Sequence, residues 1–397
     1  MPIVSYSLAA LTGLLAFPVS VFCLEIAAAI ALRRQECLVC SSQDVFQRVA
    51  VLVPAHNEGT RLLPTLEDIK AQLRNDDRLL VVADNCSDDT AALATAAGAE
   101  VVERNSSDKI GKGYALDWGL RYLAADPREI VIIIDADCRL GDGAIQNLVT
   151  TCAKMRRPVQ ALYLMAPPDG FTISCRVAQF AWRVKNWVRP LGLSALKLPC
   201  QLMGTGMAFP WDIIRSAELA TGQIVEDLKL GLDLALAGAP PMFLPSAVVT
   251  SKFPESVIGT YIQRQRWEYG HIELILTLGA RLIFLAIVRR NLALLVMALD
   301  MAVPPVTLLG VILIGTSAIA GLAAFVGFSS TALFVSGASL VAFMLALFLA
   351  WLSCGRDILP VGSWLSIGSY VIGKLRLYRR LLQHGFVLKW TRTHRGK

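Results

Sequence analysis

The sequence predicts an α/β domain on a doubly wound, mainly parallel, Rossmann-like sheet, joined to transmembrane and interfacial helices. Three observations predict it. Short β-branched runs alternate with helical segments from Arg48 to about Ser251, and such alternation with short loops specifies a parallel sheet. Two of the runs, Leu79–Ala83 and Ile130–Ile134, stop at acids, Asp84 and Asp135. The long apolar stretches lie in the flanks.

The 397 residues are 55% hydrophobic and only 17% charged, with mean hydropathy +0.53. A soluble domain is roughly 25% charged, so part of this chain belongs in lipid. Pro2 to Leu32 is apolar except for Glu25 and is followed by Arg33-Arg34. It suffices for one crossing, which needs about 20 residues. It lacks a charged n-region and a small-residue cleavage site, which argues against a cleaved signal peptide. The basic pair places its C-terminal end in the cytoplasm, and the middle of the chain with it.

The elements then follow in order. Val49–Val53 reads as a strand, and Pro54–Gly59 as its loop. A helix spans about Leu62–Leu73; Leu79–Ala83 is the second strand. Asp88 or Asp89 can cap the Ala-rich helix that Gly98 ends. Glu100–Glu103 is a third strand, Tyr114–Leu123 a helix, and Ile130–Ile134 the strand before Asp135-Ala136-Asp137. Phe171–Leu196 mixes aromatic and basic residues and reads as an amphipathic helix lying on the cytoplasmic leaflet, or as a buried helix of the domain. Glu226-Asp227 opens a helix over Leu228–Ala237, which Gly238 closes.

Leu292–Phe328 and Thr331–Leu352 are expected to cross outward and back. The first is long for one crossing. With Pro304-Pro305 near its middle, it reads as a tilted, kinked helix or as two short re-entrant ones. Pro360–Gly373 reads as interfacial or re-entrant, and the basic tail from Lys374 stays against anionic headgroups. The expected division is 1–34, a first crossing; 48–255, the catalytic domain; 256–290, interfacial helices; 291–354, the later crossings; and 355–397, the interfacial segment and tail. The net charge of +7 gathers beside the membrane segments, with no aromatic-interleaved basic platform. That points to a membrane surface and away from nucleic acid. Cys37 and Cys40 have no second pair or nearby histidine, and read as free thiols of a reducing compartment.

The chemistry concentrates at strand ends, where open α/β sheets bind ligands. Residues two apart on a strand face one side, so Asp135 and Asp137 can share a hard cation, and the cation can hold a diphosphate. Gly111-Lys112-Gly113 fits neither a Walker loop nor a dinucleotide fingerprint. Its glycines permit close backbone approach to a nucleotide with Lys112 near a phosphate, or make a plain surface turn. Glu226 and Asp227 read either as a base or as ordinary charge compensation at a helix start. Gln263, Arg266 and Trp267 share one helix face. The arginine suits a diphosphate; the ring suits a stacked sugar or a headgroup belt.

These stretches are Val53–Glu58, Ala83–Asn85, Gly111–Leu116, Asp135–Asp137, Gly204-Thr205-Gly206, Val225–Asp227 and Gln263–Trp267. In this order they resemble the inverting family-two glycosyltransferases with a GT-A fold. The resemblance is greatest to the membrane-embedded branch of cellulose, hyaluronan and chitooligosaccharide synthases, and covers Val49 to about His271. It implies Mg²⁺ or Mn²⁺ on Asp135 and Asp137. It implies a nucleotide sugar, UDP-linked, held by Pro54, Asn57, Glu58, Asp84, Lys112, Asp135, Gln263 and Arg266. Gly204, Thr205 and Trp267 would meet the acceptor. Asp227 would be the general base, with Glu226 and Arg266 beside it. The implied product is a growing extracellular polysaccharide or oligosaccharide; the alternative is one transfer to a membrane lipid such as a sphingolipid or polyprenyl carrier. The expected location is the inner (plasma) membrane, multi-pass. Several of the processive synthases carry more crossings than this chain, which puts a channel within one chain in doubt. A catalytically inactive scaffold is disfavoured by the intact Asp135, Asp137, Asp227 and Arg266. Secretion partners and oligomeric state are not legible.

Overall fold

Runs of Val, Leu and Ile without polar interruption make the centre of the sheet. In a computed structural model of the chain, residues 2–32, 47–167, 173–254 and 257–362 are described. The apolar helix α1 (Pro2–Ala31) precedes the catalytic domain. Strands β1 (Val49–Ala55), β2 (Arg78–Asp84), β3 (Glu100–Arg104) and β4 (Ile130–Ile133) pair in parallel. They are linked by α2 (Leu63–Lys70), α3 (Thr90–Ala96) and α4 (Lys112–Leu123). Val49, Val51 and Val53 enter one core, and Ala50 and Leu52 the other, the two-sided burial of a parallel strand covered by helices.

Beyond β4 the sheet becomes mixed. The chain continues through β5 (Arg139–Leu140), α5 (Ala144–Met155) and β6 (Val159–Ala166). There follow α6 (Ile173–Arg183), α7 (Arg189–Ala195), β7 (Met207–Pro210), α8 (Trp211–Ile214), α9 (Glu226–Leu236) and β8 (Met242–Lys252). Among the described residues the strand order is β3-β2-β1-β4-β7-β6-β8-β5. β7 and β5 run antiparallel to their neighbours, while β6 and β8 pair in parallel. The C-terminal ends of β1, β2 and β4 therefore open on one rim.

The last helices are α10 (Val257–Leu274), α11 (Ala280–Val288), α12 (Leu292–Met301), α13 (Val306–Phe325) and α14 (Thr331–Cys354). A π-helical turn, Ile275–Gly279, joins α10 to α11, and another, Val184–Val188, joins α6 to α7. α1, α13 and α14 pack through Phe22, Leu309, Leu313 and Phe343; the two phenylalanine rings lie 5.4 Å apart. α7 crosses α1 at Gly192, where a Cβ would stand 1.9 Å from the Glu25 carbonyl oxygen. Only glycine permits that approach. Beside it Arg189 Nε donates to Glu25 Oε2 at 2.5 Å, and Nη2 to Asp300 Oδ1 at 2.5 Å, a buried triad joining α1, α7 and α12.

Among the described residues four helices are long and apolar enough to cross a membrane: Ile3–Ala31, Gln263–Val288, Val306–Phe325 and Thr331–Cys354. Leu292–Phe328 is not one kinked helix. It divides at Pro304-Pro305 into α12, packed on the catalytic domain, and the 20-residue α13, because neither proline can donate the hydrogen bond that continues a helix. In α6 and α7 two of the basic residues are paired within the protein: Arg183 with Asp357 at 2.8 Å, and Arg189 in the triad, while Lys185 is exposed. Arg33-Arg34, Cys37, Cys40 and the tail from Lys374 lie outside the described residues.

Candidate active site

β4 ends at Ile133, and the next turn carries Asp135 and Asp137. They are not strand residues, so pleat alternation does not aim them; the turn does. The Asp135 N–H donates to Thr205 Oγ1 at 3.0 Å, and the Cys138 N–H to the Asp135 carbonyl at 3.2 Å. Both aspartates line one cavity of about 260 Å³. Thr205 is fully buried behind it. Its hydroxyl holds the Asp135 turn.

Gly111 ends the loop before α4 and delivers Lys112 to the same cavity. Lys112 Nζ donates to the Gly204 carbonyl at 2.6 Å and pairs with Asp135. Gly204 has φ +91°, and a Cβ there would come 3.3 Å from Asp227 Oδ2 and 3.6 Å from Lys112 Nζ. Glycine thus serves both the backbone angle and the closeness of Asp227 and Lys112. Glu226 and Asp227 open α9 at the cavity wall, where no side chain caps the helix. Their charge suits the helix N-terminus.

Burial pushes Glu226 up to about 7, with Lys112 opposing and Asp227 reinforcing the shift. For Lys112 burial works against the charged form. The carboxylates of Asp135, Glu226 and Asp227 outweigh it and hold the ammonium above its ordinary value. Three carboxyl groups thus gather around one lysine. A diphosphate entering this wall meets a negative surplus that a divalent cation would reverse. Among the described residues no three His, Cys, Asp or Glu side chains form a ready-made metal shell. Two carboxylates completed by phosphate oxygens and water is a coordination that suits Mg²⁺ or Mn²⁺.

α10 supplies the opposite wall with Gln263, Arg266 and Trp267. Gln263 Oε1 is buried without a hydrogen-bond partner. The Trp267 ring lies 5.1 Å from Trp182, whose Nε1 donates to the Tyr163 carbonyl at 3.0 Å. The structure therefore brings together Lys112, Asp135, Asp137, Gly204, Glu226, Asp227, Gln263, Arg266 and Trp267.

Pro54, Asn57, Glu58 and Asp84 do not line this cavity. They sit at the adjoining ends of β1 and β2, and their polar groups tie loops together. Asp84 is buried against Arg104, and its carbonyl meets His56 Nδ1 at 2.6 Å. Asn57 Oδ1 accepts from the Ser87 N–H at 2.7 Å, and the Glu58 N–H donates to Thr90 Oγ1 at 2.9 Å. Sequence reasoning missed Lys185, Asn186, Gln201, His271 and Asp300, which also line the cavity. One signal was available: Glu25, an acid inside an apolar stretch, calls for a buried partner, and that partner, Arg189, belongs to the cavity wall.

A model of the family described as glycosyltransferase like family 2 matches residues 47–270. The chain belongs to that family. Among solved structures it is similar to the mannosyltransferase PcManGT from Pyrobaculum calidifontis, in complex with GDP-Man and Mn²⁺. That match has 17% identity and a TM-score of 0.53, and covers 95% of this chain and 100% of that one. It is also similar to glucosyl-3-phosphoglycerate synthase from Mycobacterium tuberculosis, in complex with Mn²⁺, UDP and phosphoglyceric acid. There the identity is 22% and the TM-score 0.39, over 62% of this chain and 81% of that one. No curated protein matches the chain. The family-two glycosyltransferase has the GT-A fold with a mixed sheet, and four of its helices could span a membrane.

Proposed function

We propose that this glycosyltransferase is inverting and divalent-cation-dependent. It takes a sugar from a nucleoside diphosphate, uridine-linked, and places it on an acceptor presented at the cytoplasmic face of a membrane. The observation that carries the reading is the convergence of Asp135, Asp137, Lys112, Asp227, Gln263 and Arg266 on one cavity. Asp135 and Asp137 would hold Mg²⁺ or Mn²⁺; the similar mannosyltransferase structure contains Mn²⁺. Bound there, the ion supplies Lewis-acid stabilisation of the departing diphosphate. Lys112 and Arg266 meet the remaining phosphate charge. Asp227, set against Gly204 and Lys112, accepts the proton of the acceptor hydroxyl as that oxygen attacks the anomeric carbon. The bond from that carbon to the diphosphate breaks on the opposite face, so the configuration inverts. Trp267, seated on Trp182, offers the acceptor an apolar ring.

The arrangement of helices supports three crossings rather than four. Gln263 and Arg266, at one end of the Gln263–Val288 segment, line the catalytic cavity. Just past its other end, Asn291 Nδ2 donates to the Ala235 carbonyl of α9 at 2.9 Å. A 26-residue helix is about 39 Å long, and one with both ends on the same domain does not traverse a bilayer. It lies along the domain as an interfacial helix, leaving α1, α13 and α14 to cross. The Ser329 N–H meets Ser5 Oγ at 3.3 Å, joining the ends of these helices remote from the Glu25–Arg189–Asp300 triad.

The implied acceptor was a growing glycan first and a membrane lipid second. One observation favours the lipid: a second hollow runs from the catalytic cavity to the Pro304–Thr307 turn, where α13 begins. An acceptor can enter there from the leaflet. Incubating purified full-length protein with labelled UDP-sugars and membrane lipid should yield an organic-soluble product with inverted configuration. A long water-soluble polymer would favour the glycan; absence of both transfer and nucleotide release would refute the transferase reading.

A further inference from the structure

The second hollow, of about 110 Å³, lies between α6–α7, α10 and the start of α13. It joins the catalytic cavity through shared walls, Trp182, Lys185 and Trp267 among them. Its charges do not balance. Arg189 is occupied by Glu25 and Asp300. His271 Nε2 is bonded to the Met301 carbonyl at 2.9 Å. Glu268 is the one acid among the lining residues and has a partner already.

Two cationic side chains remain. Lys185 is exposed to the hollow and has no hydrogen bond or ion pair among the described residues. It stands on the π-helical turn Val184–Val188, a distortion that recurs at functional sites. The Arg264 guanidinium lies 5.4 Å from the Phe253 ring centre, and its Nη2 is buried without an acceptor. A buried donor left without an acceptor is costly and calls for an explanation. At its far end the hollow is walled by Val303, Pro304, Pro305 and Val306, which offer mainly apolar surface. The site thus asks for a ligand with several anionic oxygens at one end and an apolar chain at the other.

We propose that this hollow binds the phosphate headgroup of a lipid, with Lys185 and Arg264 holding the phosphate and the tail leaving past Pro304-Pro305. This rests on the membrane-lipid acceptor reading above and gives it a chemical class: a lipid phosphate. A tetrahedral phosphate meets both the fork of Arg264 and the point charge of Lys185. Because Lys185 borders both hollows, the anchored lipid can present a headgroup hydroxyl, the P–OH of a phosphate monoester included, toward Asp227, which accepts its proton.

The test is binding by the purified full-length protein in a neutral detergent, with geranylgeranyl phosphate, geranylgeraniol and inorganic phosphate as probes. The lipid phosphate should bind at least about tenfold tighter than the alcohol, the size of one charge-assisted contact. Lys185→Gln should erase that preference and Lys185→Arg should retain it. Inorganic phosphate should compete only at much higher concentration, because it lacks the tail. Equal binding of phosphate and alcohol by the wild type overturns the proposal. So does an undiminished preference in Lys185→Gln, or competition by inorganic phosphate at the concentration of the lipid. If Lys185→Gln does not fold, the wild-type comparison still decides. Nucleotide release from UDP-sugars by the wild type is scored separately. Its absence would strike the transferase reading while the titration stands on its own.

Discussion

Replacing Arg189 with methionine should destabilise the protein by about 3–5 kcal/mol, the cost of stripping one partner from a buried ion pair. The size follows from the surroundings. The arginine side chain is 6% exposed, and its partners Glu25 and Asp300 are 2% and 10% exposed. Its Nη2 also donates to the Asp300 carbonyl at 2.9 Å. The single substitution therefore abandons two buried carboxylates at the junction of α1, α7 and α12. Replacing all three residues (Arg189→Met, Glu25→Gln, Asp300→Asn) removes the stranded charges and should recover most of the loss. The assay is thermal unfolding of each purified variant in the same detergent. The single variant should melt about 5–15 °C lower, and the triple variant close to wild type. A neutral single substitution, or a triple variant no better than the single, would refute the reasoning.

Two further outcomes follow from the cavity. Exhaustive chelation with EDTA should stop transfer, and Mg²⁺ or Mn²⁺ should restore it; full turnover in chelator would remove the metal from Asp135 and Asp137. Glu226 is raised from 4.5 to about 7 by burial. Its contribution to stability is therefore complete below its unfolded value and fades as pH rises through about 7. In EDTA the wild-type melting temperature should fall between pH 5 and pH 8, and Glu226→Gln should flatten that fall. Superimposable pH profiles would contradict the assigned shift.

The sheet was legible because its parallel strands are buried on both faces and read as unbroken apolar runs, Leu79–Ala83 and Ile130–Ile134. The start of α9 at Glu226 was legible from its acids. What sequence could not supply was distance in three dimensions. Arg189 and Glu25 lie far apart in sequence and meet where α7 crosses α1 at Gly192. Asp84 reads as a donor contact, and its spacing says nothing of Arg104 meeting it from β3. The segment Gln263–Val288 passes by composition for a crossing. Only Asn291, folding back onto α9, shows both ends on one domain. Asp135 and Asp137 converge as expected but through a turn anchored by Thr205, which alternation along a strand does not describe.

The central claim is that the cavity performs glycosyl transfer with Asp227 as its base. It is tested most directly by the rate of labelled-sugar transfer from a UDP-sugar by Asp227→Asn beside wild type, with UDP affinity measured on the same samples. Asparagine keeps the shape and cannot take the proton. The account predicts a loss of about 10²–10⁴-fold in transfer with UDP affinity within a few-fold of wild type. Wild-type turnover in Asp227→Asn would reduce the residue to a helix-terminal charge and contradict the account.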